Sequence, residues 1–179
     1  HDFAVSRNYT VFMDLPVIFD MELAFSGMPM RWSDEYQARF GILPRAGSDA
    51  DVRWFDVEPC YVFHTMNAHE EGDTVVVRGC RVPEIWRGGS AMEPGAGDAD
   101  QASMPRLHEW RFDMLTGSVS EQYLDDVGSE FPRVAARDAG LPARYGFSMG
   151  LGFIGGEPQI LKYDLDRGAE KSVHTFPQG

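Results

Sequence analysis

Two histidines stand beside apolar runs, where an imidazole ring needs a hydrogen-bond partner or a metal ion. His64 interrupts the apolar run Cys60–Met66, and His1 opens a segment that continues into the apolar run Tyr9–Leu15. An unsatisfied polar group in a protein core costs roughly 1–3 kcal/mol, so each ring must be hydrogen-bonded or bound to a metal. Neutral imidazole is a common metal ligand, which makes His1 and His64 candidate ligands of one metal ion. The alternative is that both rings are structural.

The other three histidines give weaker signals for metal binding. His69 follows His64 with neither the helical i, i+4 spacing nor the His-Glu-x-x-His pattern of zinc proteases, so a local metal pair is not expected. His69 precedes the acidic segment Glu70–Asp73, and this whole turn is predicted to be solvated. His108 and His174 lie in strand-like segments, where a surface or cross-strand role is predicted.

Two acidic residues are candidates for orienting these rings. Glu130 lies between Ser129 and the pair Phe131-Pro132, which indicates a partly buried carboxylate that needs a cationic or N–H partner. An exposed loop glutamate ahead of a turn proline is an equal alternative. Asp2 is placed either to orient its neighbour or to cap a turn. A carboxylate that accepts the second ring N–H of a metal-bound histidine fixes its tautomer.

Length, charge and cysteine content exclude several functions. The chain has 179 residues, enough for one domain with its own core, and a net charge of −12. That charge is unfavourable for nucleic acid and for anionic lipid, and no apolar run is long enough to span a membrane, although peripheral membrane contact stays open. Cys60 and Cys80 are predicted to be free core thiols, and a cytoplasmic location is the default. Because the chain starts without Met and within a pattern, we expect an internal fragment of a longer protein.

Short β-branched and aromatic runs predict an all-β chain. Gly, Pro and Asp clusters separate these runs, and no segment keeps a helical apolar period for three turns. The segment Gly88–Ser103 is polar and rich in glycine, which predicts a loop. The predicted strands are Tyr9–Leu15, Val17–Phe19, Val52–Phe55, Cys60–Met66, Thr74–Val82, Leu107–Phe112, Val119–Leu124, Tyr145–Met149 and Gln159–Leu165.

An internal repeat indicates how these strands are arranged. The segment Arg111–Val119 aligns with Lys162–Glu170, and both predict a strand, a tight turn and a second strand. The matched positions are Phe112 with Tyr163, Asp113 with Asp164, and Gly117 with Gly168. A hairpin that recurs after about 50 residues has the spacing of a four-stranded propeller blade, so the chain is predicted to hold about three blades. Two unrelated hairpins are the alternative.

Ordered sequence blocks extend along nearly the whole chain. The first is His1-Asp-Phe-Ala-Val, which continues to Asp14-Leu-Pro16, and the others are Arg39–Arg45, Val52–Asp73, Leu107–Gly117, Glu130–Arg133 and Arg144–Phe147. In this order the blocks resemble the carotenoid cleavage oxygenase family. That family includes plant epoxycarotenoid dioxygenases, bacterial apocarotenoid and lignostilbene dioxygenases, and the vertebrate retinoid isomerase.

The resemblance implies a seven-bladed β-propeller with Fe(II) on its axis, held by four histidines. His1 matches the second ligand and His64 the third, and Glu130 matches a glutamate that hydrogen-bonds the His64 ring. The remaining two ligands are expected outside residues 1–179, which would form a partial propeller domain of about three blades. The implied reaction adds both atoms of O2 across one C=C bond of an apolar polyene or stilbene and gives two carbonyl products.

Two other functions are alternatives to this dioxygenase reaction. A propeller that has lost its metal site would bind only a ligand or a protein, and a family member that isomerises a polyene and cleaves an ester would incorporate no oxygen. Residues 1–179 alone are expected to bind iron weakly and to be inactive. Trp32, Met28, Met30 and Phe131 are candidates either for an apolar substrate channel or for ordinary core packing.

Overall fold

The structure is a computed structural model, and it describes residues 2–25, 29–85, 104–151 and 157–177. Short helical turns at Leu23–Phe25, Asp49–Asp51, Ala136–Asp138 and Leu165–Arg167 connect some of the strands in these ranges. The strands are β1 (Ala4–Val5), β2 (Tyr9–Asp14), β3 (Val17–Phe19), β4 (Met30–Trp32), β5 (Arg39–Pro44), β6 (Arg53–Asp56), β7 (Tyr61–Glu71), β8 (Thr74–Val82), β9 (Arg106–Asp113), β10 (Val119–Val134), β11 (Tyr145–Gly150), β12 (Gln159–Asp164) and β13 (Glu170–Thr175).

Within these ranges the strands form antiparallel sheets whose order follows the chain closely. One sheet has the order β1-β2-β5-β6, the hairpin β3-β4 extends from it, and the strands from β7 to β13 pair in sequence order. The long strand β10 pairs with β9 through its first half and with β11 through its second half. The described residues therefore form three four-stranded units, β1-β2-β5-β6, β7–β10 and β10–β13, as expected for successive propeller blades.

The all-β prediction is confirmed, but several strands were not predicted. These are β1, β4, β5 and the second half of β10. Strand β5 contains Gly41, which weakens a strand signal in the sequence. A Cβ atom at Gly41 would lie 2.8 Å from the Trp54 ring, so the glycine gives room for a cross-strand aromatic contact. The predicted loop Gly88–Ser103 lies outside the described residues.

Two apolar clusters hold the three units together. In the first, Phe40 of β5 packs against Trp110 and Phe112 of β9, with ring centroids 5.1 and 5.3 Å apart. In the second, Met66 of β7 and Leu107 of β9 pack with buried side chains of β12. Each cluster therefore joins one four-stranded unit to the next, and this packing fixes the position of β7 relative to its neighbours.

Both copies of the internal repeat form hairpins, as predicted. The first copy joins β9 to β10 and the second joins β12 to β13. Gly117 and Gly168 have φ values of 79° and 64°, the left-handed conformation that glycine adopts without steric cost. Asp113 accepts hydrogen bonds from the backbone N–H groups of Leu115 and Thr116, which stabilises the first turn.

The two cysteines are free and buried, which confirms the sequence prediction. Cys60 directly precedes β7, and Cys80 lies in β8. Burial raises the pKa of the Cys60 thiol to about 12 and also raises the pKa of Cys80. A thiol with a raised pKa is a poor nucleophile and metal ligand, so both side chains are core residues.

Candidate metal centre

The structure brings together His64 of β7 and Glu130 of β10. The Nδ1 atom of His64 lies 2.8 Å from Oε2 of Glu130, a hydrogen bond between residues 66 positions apart. The Glu130 side chain is 9% exposed, whereas the His64 side chain is 29% exposed. The carboxylate therefore lies behind the ring, and part of the imidazole remains accessible from outside.

Strand β7 carries His64 on an irregular stretch rather than on a regular ladder. It has 11 residues where its partner β8 has 9, and the register shifts between Val62 and Thr65 and again between Thr65 and Asn67. Gly79 of β8 lies opposite, and a Cβ atom there would be 3.1 Å from the His64 carbonyl oxygen. β-Bulges of this kind re-aim side chains and are frequent beside active sites.

Glu130 also lies at an irregularity, in the second half of β10. The register with β11 shifts between Glu130 and Arg133, and the next residue, Phe131, has a φ of 55°. A left-handed conformation costs a non-glycine residue roughly 1–2 kcal/mol. It places the Phe131 N–H 2.6 Å from Oε2 of Glu130, so the backbone donates a second hydrogen bond to the oxygen that meets His64.

The Glu130 carboxylate is buried with little compensation from nearby positive charge. Burial raises its pKa above the ordinary value, against the lowering effect of the hydrogen bonds from Phe131 and His64, and the charge of Asp2 raises it further. Its Oε1 atom is buried and has no hydrogen-bond partner among the described residues. An uncompensated buried carboxylate is costly, so a cation bound on the far side of His64 would stabilise this arrangement.

Asp2 connects the start of the chain to β7. Its Oδ2 atom accepts hydrogen bonds from the backbone N–H and the hydroxyl of Thr65, at 2.8 and 3.0 Å. Its Oδ1 atom accepts the N–H of Phe3 at 2.9 Å. Asp2, which follows His1 in the sequence, is therefore hydrogen-bonded to Thr65, which follows His64. His1 itself lies outside the described residues.

Of the predictions for the other three histidines, the one for His69 is wrong. His69 was predicted to be solvated but is buried in β7, where its Nε2 lies 3.0 Å from Glu71. His108 is buried, and its Nε2 lies 3.3 Å from Glu121 across β9 and β10, which confirms the cross-strand alternative. His174 is exposed on β13, as predicted.

The acidic turn after His69 is also less solvated than predicted. Glu70 accepts hydrogen bonds from the Ser6 hydroxyl at 2.5 Å and from the Asn8 backbone and side-chain N–H groups at 2.8 and 2.6 Å. Glu71 forms an ion pair with Arg111 at 2.5 Å. Local sequence showed only a run of acids, whereas their partners come from distant parts of the chain. Asp73 is exposed, as predicted.

The apolar candidates separate into different environments. Trp32 is buried, and its indole N–H donates to Asp34 at 3.2 Å, which indicates a structural role. Met30 is partly buried on β4. Phe131 is 52% exposed, and its ring centroid lies 5.0 Å from that of His64, so it forms an apolar wall beside the imidazole. Met28 lies outside the described residues.

The residues present fit one part of a histidine-rich metal site. An ionised carboxylate only accepts hydrogen bonds, so Glu130 selects the tautomer of His64 that carries hydrogen on Nδ1 and a lone pair on Nε2. Ligating histidines commonly have such a carboxylate partner. In the described ranges no three His, Cys, Asp or Glu side chains form a metal-binding group, and no helix has the length and apolar character for crossing a membrane.

Comparison with known families and sequences gives a consistent match. The family model described as RPE65, retinal pigment epithelial membrane protein, matches residues 1–179. Carotenoid 9,10(9',10')-cleavage dioxygenase 1 of Phaseolus vulgaris is 38% identical over 96% of this chain. The chain spans 32% of that protein's length, and about a third of the length of the other curated relatives first matched.

Solved structures support the same fold. A cobalt-substituted ACO of Synechocystis superposes with a TM-score of 0.82 at 22% identity, covering 98% of this chain and 38% of that one. The lignostilbene dioxygenase of Pseudomonas brassicacearum gives a TM-score of 0.78 at 26% identity, covering 100% of this chain and 40% of that one. The predicted β-propeller fold is therefore confirmed.

Proposed function

The chain belongs to the RPE65 and carotenoid cleavage oxygenase family, and from this membership we propose that the protein containing it is an Fe(II)-dependent dioxygenase. The proposed reaction cleaves one C=C bond of a carotenoid, apocarotenoid or stilbene-type substrate with O2 and gives two carbonyl products. The names of the relatives support this substrate range, since they include a carotenoid cleavage dioxygenase and a lignostilbene dioxygenase.

The hydrogen bond between His64 Nδ1 and Glu130 carries this proposal. It favours the tautomer whose Nε2 lone pair can bind a metal, and it places a negative charge behind the ring. We propose His64 and His1 as two of the ligands of one Fe(II) ion, with the remaining histidine ligands outside residues 1–179. When bound, the ion would supply the electrons and the open positions needed to activate O2.

The other residues of the site would position the imidazole and exclude water. Glu130 holds the His64 ring in one orientation, and the Phe131 N–H holds the carboxylate. The exposed Phe131 ring, next to the imidazole, would give an apolar polyene or stilbene a surface to pack against. These residues donate no proton to the substrate in the proposed reaction, since their role is to orient the metal ligand and the double bond.

Iron binding tests the assignment of His64. We expect His64→Ala to lower the affinity for Fe(II) at least about 100-fold, because removal of a ligand should cost more than removal of its hydrogen-bond partner. The matched control is His174→Ala, which removes an exposed histidine on β13 and should bind iron as the wild type does. Equal iron affinity in the wild type and His64→Ala would contradict the assignment.

Product analysis tests the reaction class in the protein that contains this chain. With 18O2 and a stilbene or apocarotenoid substrate, we expect one labelled oxygen in each of the two carbonyl products. Isomerised product without label would show an isomerase instead. Tight substrate binding without bound iron or turnover would show a binding propeller that has lost its metal site.

A further inference from the structure

We propose that Asp2 and Thr65 form a positioning pair that holds the two proposed metal ligands in register with each other. The inference rests on the proposed function, because it gives these residues a role only if His1 and His64 bind one ion. Asp2 directly follows His1, and Thr65 directly follows His64. One hydrogen-bonded contact therefore joins the two chain segments at the positions next to both ligands.

Both oxygens of the Asp2 carboxylate are used in this contact region. Oδ2 accepts two hydrogen bonds from Thr65, one from the backbone N–H at 2.8 Å and one from the hydroxyl at 3.0 Å. Oδ1 accepts the N–H of Phe3 and so fixes the carboxylate relative to its own backbone. Three hydrogen bonds to one charged group define its orientation more strictly than a single bond would.

The position of β7 at the edge of its sheet leaves the backbone N–H of Thr65 available to donate to Asp2. Strand β7 is the edge strand of the seven-stranded sheet, so it pairs on one side with β8. Thr65 pairs with Gly79 of β8, and the register shifts on both sides of this pair. An edge N–H at a bulge needs another acceptor, and the Asp2 carboxylate provides it. The same bulge carries His64.

The contact fixes Asp2, which directly follows His1 in the sequence. In a metal site, ligands that are held in advance need less reorganisation when the ion binds. Asp2 and Thr65 touch no substrate in this proposal and act through the two histidines.

A second contact between the same two segments provides an internal control. The Ser6 hydroxyl donates a hydrogen bond to Glu70 at 2.5 Å. This bond also joins the N-terminal segment to β7, but at a residue farther along the strand from His64 than Thr65. Ser6 is buried, so its loss should weaken the packing between the segments. If Asp2 acts as a positioning residue, the contact at Thr65 should affect the metal site and the contact at Ser6 should not.

The test uses Co(II) as the probe in the protein that contains this chain, with affinity and the visible absorption of the Co(II) complex as readouts. Thr65→Val keeps the shape of the side chain but removes the hydroxyl, and Asp2→Asn removes the charge. We expect each to lower Co(II) affinity about 10-fold and to change the absorption spectrum, because altered ligand positions change the field at the ion. Thr65→Ser, which keeps the hydroxyl, should restore both.

The outcomes separate this inference from the function on which it rests. Ser6→Ala should lower the unfolding midpoint of the metal-free protein and leave Co(II) affinity and spectrum unchanged. Wild-type affinity and spectrum in both Thr65→Val and Asp2→Asn would overturn the positioning role, as would an equal loss of affinity in Ser6→Ala. If the wild type and His64→Ala bind Co(II) equally, the proposed metal site itself is overturned.

Discussion

His64 and His108 both pair with a glutamate across strands, but the two pairs differ in geometry and surroundings. Glu130 meets His64 at Nδ1, whereas Glu121 meets His108 at Nε2. The His64 side chain is 29% exposed and the His108 side chain only 4%. In the part of the chain that the structure describes, the buried Nδ1 atom of His108 has no hydrogen-bond partner. The His108 side chain is therefore almost completely shielded from solvent, whereas part of the His64 side chain is accessible.

The pKa values of the two glutamates are shifted in opposite directions. Burial raises the pKa of Glu121, but hydrogen bonds from His108 and the Glu58 backbone N–H outweigh it, so the pKa of Glu121 is lowered. For Glu130 burial outweighs the hydrogen bonds from Phe131 and His64, and its pKa is raised. The Glu121 carboxylate is therefore stabilised by its partners within the protein, whereas the Glu130 carboxylate would gain more from an added cation.

The largest expected difference between the pairs is in metal affinity. Glu130→Gln keeps the side-chain shape but removes the charge behind His64, and we expect about 10–100-fold weaker Fe(II) binding, as is typical when the hydrogen-bond partner of a ligating histidine is changed. Glu121→Gln makes the same chemical change at the buried pair and should leave the affinity unchanged. Metal titration of both variants checks this, and equal losses would show that the two pairs are equivalent.

A smaller effect is expected from the strand that carries His64. Gly79→Ala places a Cβ atom about 3 Å from the His64 carbonyl oxygen and the Thr65 Cα, so the bulge in β7 must shift. We expect a loss of about 1–3 kcal/mol in the free energy of unfolding, as for other overpacked sites. Denaturant unfolding measures it.

Gly128→Ala on β10 is the control, because its Cβ meets the flexible Met104 side chain rather than backbone. A smaller loss of stability is expected there. If Gly79→Ala unfolds at the same denaturant concentration as the wild type and binds metal equally well, the bulge does not constrain His64.

The smallest expected effect is the pH dependence of the buried pairs. Burial lowers the pKa of His69 and His108 below their ordinary value, against the raising effect of the hydrogen bonds that the rings donate to Glu71 and Glu121. Below about pH 6.5 the unfolded chain then binds protons that the folded chain does not, so stability falls as the pH is lowered. Each histidine contributes at most about 1.4 kcal/mol per pH unit.

Unfolding experiments between pH 5.5 and 8 check this dependence. His108→Gln should reduce the loss of stability at acid pH, because the neutral amide has no proton to gain, and His174→Ala at the exposed position should not. A wild type that becomes more stable on acidification, or a His108→Gln variant with an unchanged slope, would contradict the prediction.

Local sequence predicted much of the fold because neighbouring strands along the chain are also neighbours in the sheets. Apolar alternation and turn glycines marked β7, β8, β9 and the two repeated hairpins. It failed at His69, where a run of acids indicated a solvated turn. Glu71, two residues after His69, forms an ion pair with Arg111 of β9, and no local sequence pattern predicts such a contact.

By itself the sequence determined the all-β class, the repeat of hairpins and His64 and Glu130 as candidate residues, since these depend on residue type and short-range order. The tertiary structure decided which atoms meet. The hydrogen bonds between His64 and Glu130 and between Thr65 and Asp2 join residues 66 and 63 positions apart. They form because strand bulges and packing between sheets set those distances, and the apolar period of a strand carries no information about either.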